Sequence, residues 1–303
     1  MTIDVSHSET LDSNSLTSRI NAPIMTPNAN LPRNMAQITL PGLVDPHDLS
    51  ADRQFSMNLA RGMEVLRAFT PADPMLGNRE ISDRTGLPKP TVSRLTYTLT
   101  LLGYLSRDST LQKYRLGTGV LSLGHPLLAS MHVRQAARPL MEQLARKTGC
   151  TVNLGMRDRG NVVYIDTVRA DAANIHLPDI GSTRPLLAAA IGRALILACP
   201  PAERTAILNY LKVHDKALFE QHRAAWETDQ KGFATHGFCH SRGDWQKDVH
   251  AVAVPVRLPP REAPVAMNCT LAAYRIPKDK LEREVVPQLM DAVRQLEAAH
   301  GVR

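Results

Sequence analysis

The sequence predicts an α+β protein in two parts: a small helical module ending in a two-stranded hairpin, then a larger domain of strands covered by helices. Three observations predict it. The stretch Asn78–Tyr97 (NREISDRTGLPKPTVSRLTY) reads as two short helices meeting at a glycine turn. Tyr104–Arg107 and Gln112–Leu116 follow as two short strands around the polar turn Asp108–Thr110. Beyond Gly149, apolar runs of strand length mix with amphipathic segments of helical length, the order that places helices on the faces of an antiparallel sheet.

Length and composition bound the rest. At 303 residues the chain has room for two domains. The net charge of +7 suits an anionic partner without demanding one. Cys150, Cys199, Cys239 and Cys269 are widely spaced and form no C-x-x-C pair, which points to reduced, buried thiols in a cytoplasmic protein. Met1–Arg19 lacks the basic start and apolar core of a secretory signal, and no run of about 18 apolar residues argues for a membrane span. Residues 1–54 are rich in Ser, Thr, Asn and Pro without a sustained period and read as a disordered arm.

Periodicity begins at Ser56. Leu59, Met63, Leu66 and Phe69 make one apolar stripe of a helix that ends before Pro71. Asn78 is read as the N-cap of the next helix and Gly86 as its left-handed stop. Leu87-Pro88 turns the chain, and Pro90 fits the start of a further helix. That helix carries Val92, Leu95, Leu99 and Leu102 on its apolar side and Thr91, Ser93, Arg94, Thr96 and Tyr97 on the other. With small Ser82 at the crossing, this is a helix-turn-helix, whose second helix enters the DNA major groove; a plain αα-hairpin is the alternative. Arg107, Lys113 and Arg115 make the following hairpin a basic wing. Residues 51–116 hold ten basic and six acidic side chains, so most of the chain's excess charge sits where DNA would lie. Lys89, Thr91, Ser93, Arg94, Tyr97, Lys113 and Arg115 are the candidate DNA contacts, Thr91 and Arg94 at bases, Lys113 and Arg115 at phosphates.

Residues 117–133 read as a kinked linker helix around Pro126 or a packing segment between domains. A helix over Arg134–Lys147 then opens the second domain, 134–303, and stops at Gly149. Thr151–Met156 and Val162–Val168 are expected strands of a hairpin, with Ile175–Leu177 a further candidate. Leu186–Ala198, Pro201–Tyr210 and Ala217–Gln230 read as helices, the last closed by Gly232. Val249–Val256 and Val265–Leu271 read as strands, and Lys278–Ala299 as a final helix on the stripe Leu281, Val285, Leu289, Val293 and Leu296.

GLPKPTVSRL, a wing ending YRLG, RPLLAAAIGRAL and HAVAVPV, in this order, resemble the IclR family of bacterial transcriptional regulators from about Phe55 onward. The resemblance implies a winged helix-turn-helix over 55–116, a linker helix over 117–133 and a GAF-like α/β effector-binding domain over 134–303. It further implies a homodimer or homotetramer on palindromic operator DNA, a nearby metabolic operon under control, and a small-molecule effector, by family habit a carboxylic acid. By position it assigns the effector wall to Ala189 and Ala190, a loop carboxylate to Asp244 with Trp245 beside it, and inward polar groups to Asn268 and Thr270. The physics agrees with that assignment. Small alanines leave space, and residues two apart on a strand share a face, which sends Cys269 to the other side. Asn268 and Thr270 serving only neighbouring backbone is the alternative.

Other signals are weaker. His236, Cys239 and His240 with His250 nearby have short spacings but no second cysteine pair, so ordinary polar residues are favoured over zinc. G-x-S-x-G and G-x-G-x-x-G are absent, and no cofactor or catalytic residue is expected. Two function classes remain: a ligand-responsive DNA-binding regulator, and an enzyme or metabolite-binding protein whose N-terminal helices only dimerise. Arg and Lys on both the second helix and the wing favour the first.

Overall fold

Local capping chemistry sets the first helices of the computed structural model, which describes residues 40, 42–170, 178–259, 262–273 and 280–302. The expected strand at Ile175–Leu177 lies outside them, as do residues 1–39 of the expected arm. The Ser56 hydroxyl accepts the Leu59 N–H at 3.4 Å and starts α1 (Met57–Arg67). α2 (Asn78–Thr85) is capped by Gly77 rather than Asn78: the Gly77 N–H donates to the Glu80 carboxylate at 2.6 Å. Asn78 instead accepts the Thr96 hydroxyl at 3.2 Å. Gly86 ends α2 at φ 69°, a left-handed conformation that costs glycine nothing, and the Ser82 hydroxyl donates to the Leu87 carbonyl across the turn. α3 (Lys89–Leu101) follows.

β1 (Leu105–Asp108) and β2 (Lys113–Leu116) pair antiparallel, and Tyr114 exchanges backbone hydrogen bonds with Leu76. Val65, Phe69, Leu76, Ile81, Val92, Leu99, Leu105 and Tyr114 form the core beneath. Three expectations change here. Leu59 and Met63 are exposed, as is Leu102 at 62 %. Periodicity marks apolar positions without saying whether this chain covers them. Thr96, expected on the outer face, is fully buried where α2 and α3 cross, its hydroxyl shared between Asn78 and the Val92 carbonyl.

α4 (Thr118–Ser130) fully buries none of its side chains, so the linker is a largely exposed helix that touches the second domain's core through the half-buried Leu128. α5 (His132–Thr148) leads into an antiparallel sheet of β3 (Thr151–Asp158), β4 (Asn161–Val168), β5 (Thr183–Pro185), β6 (Cys239–Arg242), β7 (Val249–Val256) and β8 (Val265–Ala272). Its strand order is β5-β4-β3-β8-β7-β6. α6 (Ala190–Ala198), α7 (Pro201–His214) and α8 (Lys216–His236) connect β5 to β6, and α9 (Val286–Ala299) closes the chain behind a π-helical turn at Leu281–Val285.

Alternation along the strands divides two apolar layers. Val152, Leu154, Val252, Val254, Met267 and Cys269 face α5 and α9, whereas Val162, Tyr164, Ala251, Ala253 and Ala266 face α6 and α7. Leu40 is buried in the second layer with Leu43 against it. The helix expected from Leu186 starts only at Ala190, and the one expected to close at Gly232 runs on to Gly237 at φ 74°. The loop expected between Gly237 and Val249 contains β6, paired to β7. The four cysteines are free and buried.

Candidate DNA-reading helix and ligand cavity

α3 projects its outer face from the first module. Lys89, Ser93, Arg94 and Tyr97 are exposed and Thr91 is half-buried at the same end. None of these side chains has a hydrogen bond or ion pair among the described residues, leaving donors open for bases and phosphates. Arg115 on β2 is likewise exposed. Lys113 differs: its Nζ lies 2.8 Å from Glu80 Oε1, and Glu80 is the group that caps α2. The Gly77 N–H and then Lys113 hold the Glu80 carboxyl below its ordinary value. Lys113 therefore ties the wing to the helix-turn-helix, with its charge already engaged.

In the second domain, the close crossing of Gly192 over the chain before it shapes a cavity. A Cβ on Gly192 would lie 2.1 Å from the Leu186 carbonyl oxygen, so only glycine lets α6 start this close to the strand exit. That crossing presents Ala188, Ala189 and Ala190 to a small cavity of about 50 Å³. Asn268 and Thr270 from β8 line it together with Tyr164, Arg184, Trp245 and Gln246. Arg184 is the charged residue among the described lining, its guanidinium 5.4 Å from the Trp245 ring.

The polar groups have defined roles. Asn268 Oδ1 accepts from Asn153 Nδ2 at 2.9 Å, and Asn153 Oδ1 accepts the Thr167 hydroxyl at 2.7 Å. Asn268 thus keeps its Nδ2 donor for the cavity. The Thr270 hydroxyl donates to the Thr151 carbonyl at 3.3 Å and offers its lone pairs. Burial pushes the Tyr164 phenol up to about 12, against the pull of Arg184, so it is a neutral donor.

Asp244 does not line the cavity. It pairs at 2.8 Å with Arg193, a fully buried guanidinium. Arg193 also donates to Asp229 at 2.6 Å and to the Leu187 and His240 carbonyls, both at 2.6 Å. It therefore joins the turn before Ala188 to the loop carrying Trp245. His240 Nδ1 lies 3.1 Å from Asp229 Oδ1, which raises the imidazole's affinity for protons against the effect of burial. Burial pushes the Asp229 carboxyl up, but the His240 and Arg193 contacts outweigh it and leave it low. His222 is buried beside this cluster with Nε2 unpartnered, and burial followed by the Arg193 charge lowers its affinity for protons.

Of the expected effector residues, Ala189, Ala190, Trp245, Asn268 and Thr270 are brought together here. Sequence reading missed Tyr164, Arg184 and Gln246. It also missed Arg193, although a lone arginine inside AAAIGRALILA signals a buried ion pair. Of His236, Cys239, His240 and His250, Cys239 and His240 both contact Asp229, and no metal-holding group occurs among the described residues.

A solvent-facing recognition helix joined by a largely exposed linker helix to a ligand-cavity domain defines a ligand-controlled DNA-binding protein. Residues 125–298 match the family described as bacterial transcriptional regulator IclR C-terminal, and residues 58–109 match the IclR helix-turn-helix domain. The chain belongs to the IclR family of bacterial transcriptional regulators. It is 31% identical over 243 residues to the HTH-type transcriptional regulator TsaQ1/TsaQ2 of Comamonas testosteroni, covering 80% of this chain and 87% of that one. The crystal structure of an IclR family regulator from Brucella abortus is 41% identical, with TM-score 0.76 over 82% of this chain and 94% of that one. An IclR homologue from Microbacterium hydrocarbonoxydans, complexed with 4-hydroxybenzoate, shares the fold at 22% identity and TM-score 0.59, covering 80% of this chain and 98% of that one.

Proposed function

We propose that this regulator controls a nearby catabolic operon from the cytoplasm, binding palindromic operator DNA as a homodimer or a pair of dimers. Residues 55–116 read the DNA, 117–133 link, and 134–303 bind the effector. Lys89, Thr91, Ser93, Arg94 and Tyr97 contact the groove and its backbone, and Arg115 a phosphate. Lys113 contributes by holding the wing and reaches a phosphate only if Glu80 shares it. The effector is a small carboxylic acid held by Ala189, Ala190, Trp245, Asn268 and Thr270, with Arg184 added to that set; Asp244 acts through Arg193. The protein binds its effector without transforming it, and no histidine lines the cavity beside Ser241 among the described residues.

One observation carries the acid reading. Arg184 is the charge at the cavity, and no carboxylate pairs with it among the described residues. A guanidinium in a mostly apolar concavity favours an anion there. For the dimer, the support is the uncovered apolar surface of Leu59, Met63, Leu101, Leu102, Leu121, Leu123 and Leu127, with Leu121 77 % exposed. Leu121→Glu should give a monomer in analytical ultracentrifugation; an unchanged dimer would remove α4 from the interface.

Calorimetry with a panel of small carboxylic acids, 4-hydroxybenzoate first, tests the cavity. At least one acid should bind wild type, while Ala190→Leu and Arg184→Gln should each weaken it by about tenfold or more, the cost of a lost charge-assisted bond. Wild-type affinity in both variants would overturn the placement, and no binding by any acid would overturn the class.

A further inference from the structure

The β3–β4 hairpin reaches from the cavity wall to the DNA-binding module. At its tip Asp158 and Arg159 touch α1 through two ion pairs of opposite sense. Arg67 Nη1 lies 2.9 Å from Asp158 Oδ2, and Arg159 Nη2 lies 2.8 Å from Glu64 Oε1. Glu64 and Arg67 sit three apart on one face of α1, and Asp158 and Arg159 are adjacent. The crossed charges therefore fix one register: sliding the tip along α1 would bring like charges together. The Asp158 hydrogen bond, opposed by burial, raises the Arg67 affinity for its proton.

The other end of the hairpin is the cavity. The Gly160 carbonyl accepts the Leu186 N–H at 3.0 Å, and Asn161 and Val162 pair with Pro185 and Arg184. Leu186 leads directly into Ala188–Ala190, and Tyr164 lines the cavity four residues after Gly160. A displacement of Arg184 or of the alanine turn by a bound ligand thus has a backbone hydrogen-bonded path of a few residues to Asp158 and Arg159. The ion pairs at its end are each one-third to nearly one-half exposed, so they are weak enough to be remade.

We propose that the Asp158–Arg159 tip is the contact that transmits occupancy of the cavity to the DNA-reading helices. This rests on the regulator reading above. The register seen here sets one angle of α1, and hence of α3 packed on it; a ligand that moves the strand exit shifts the tip on α1. Neither domain's own site contains any of the four residues.

Charge reversal in the full chain tests it. Glu64→Arg and Arg159→Glu each place like charges across the contact, whereas the double variant rebuilds the pair with its sense inverted. In hydrogen exchange, each single variant should raise exchange at the element it does not touch covalently, α1 for Arg159→Glu and the tip for Glu64→Arg, by about threefold or more. The double variant should return both towards wild type. Increases confined to the mutated element, or no recovery in the double, would overturn the contact. A promoter fragment from beside the protein's own gene supplies the second readout. Operator affinity should change by about threefold or more in each single variant and recover in the double. Coupled exchange with unchanged operator affinity would reduce the tip to packing and overturn transmission. Failure of wild type to bind any promoter DNA would instead strike the regulator reading, with the exchange result standing independently.

Discussion

At the scale of the residue, charge that is free and charge that is engaged divide the basic side chains by task. Arg94 projects from α3 with nothing paired to it among the described residues, and a good base contact is worth roughly 1–3 kcal/mol of discrimination. Arg94→Ala should weaken operator binding by about tenfold or more and flatten sequence preference in anisotropy titrations. Arg115→Ala should lower affinity on any sequence and reduce the salt slope by about one. Lys113→Ala should act differently, loosening the wing by breaking the bond to Glu80. Arg193 is the reverse case, a buried charge paired with Asp229 and Asp244. Arg193→Met strands Asp229 in the core and should cost about 3–5 kcal/mol in chemical denaturation. Its neighbour His240 has a pH signature. Its proton affinity is raised in the folded protein by Asp229, so its contribution is complete below the ordinary imidazole value of 6.5 and fades as pH rises through the higher folded one. His240→Gln should therefore destabilise at about pH 5.5 and have little effect at about pH 9; equal losses at both would contradict the ion pair.

At the scale of the element, legibility followed how local the determining physics is. Gly86 and the TVSRL helix were readable because a left-handed stop and an apolar stripe are written within a dozen residues. The strands Val249–Val256 and β8 were readable for the same reason, and Asn268 and Thr270 shared a face because strands alternate. What failed depended on distant partners. Thr96 reads as surface until α2 crosses it, and Leu102 reads as core until nothing covers it. Arg184 belongs to a three-residue strand too short to carry a period, and Tyr164 sits in a strand with little to mark which of its residues meets a cavity. Asp244 was located in the right loop, but its purpose is visible only through Arg193, 51 residues away in sequence. The arm shows the same limit. Leu40 lies in a segment without periodicity yet is 9 % exposed against the α6 layer. Leu40→Ala should lower stability by about 2 kcal/mol, read as a shifted denaturant midpoint; no shift would place that leucine outside the folded core.

At the scale of the whole molecule, the weak connections matter as much as the cores. Two apolar layers make the ligand domain rigid around a small cavity, and a separate core holds the helix-turn-helix. Between them run a largely exposed linker helix and a hairpin tip held to α1 by partly exposed ion pairs, both open to rearrangement at small free-energy cost. Such a design predicts that ligand and DNA are thermodynamically coupled, so a bound acid changes operator affinity and operator DNA changes the acid's affinity by the same factor. The most direct measurement is anisotropy titration of the full chain on a promoter fragment from beside its own gene and on a scrambled fragment of equal length, with and without an acid that binds the cavity. The expected result is a preference for the promoter of about 10³ or more, changed at least about fivefold by the acid in wild type and not at all in Ala190→Leu. Equal affinity for the two fragments, or a promoter preference that a cavity-bound acid leaves untouched, would contradict it.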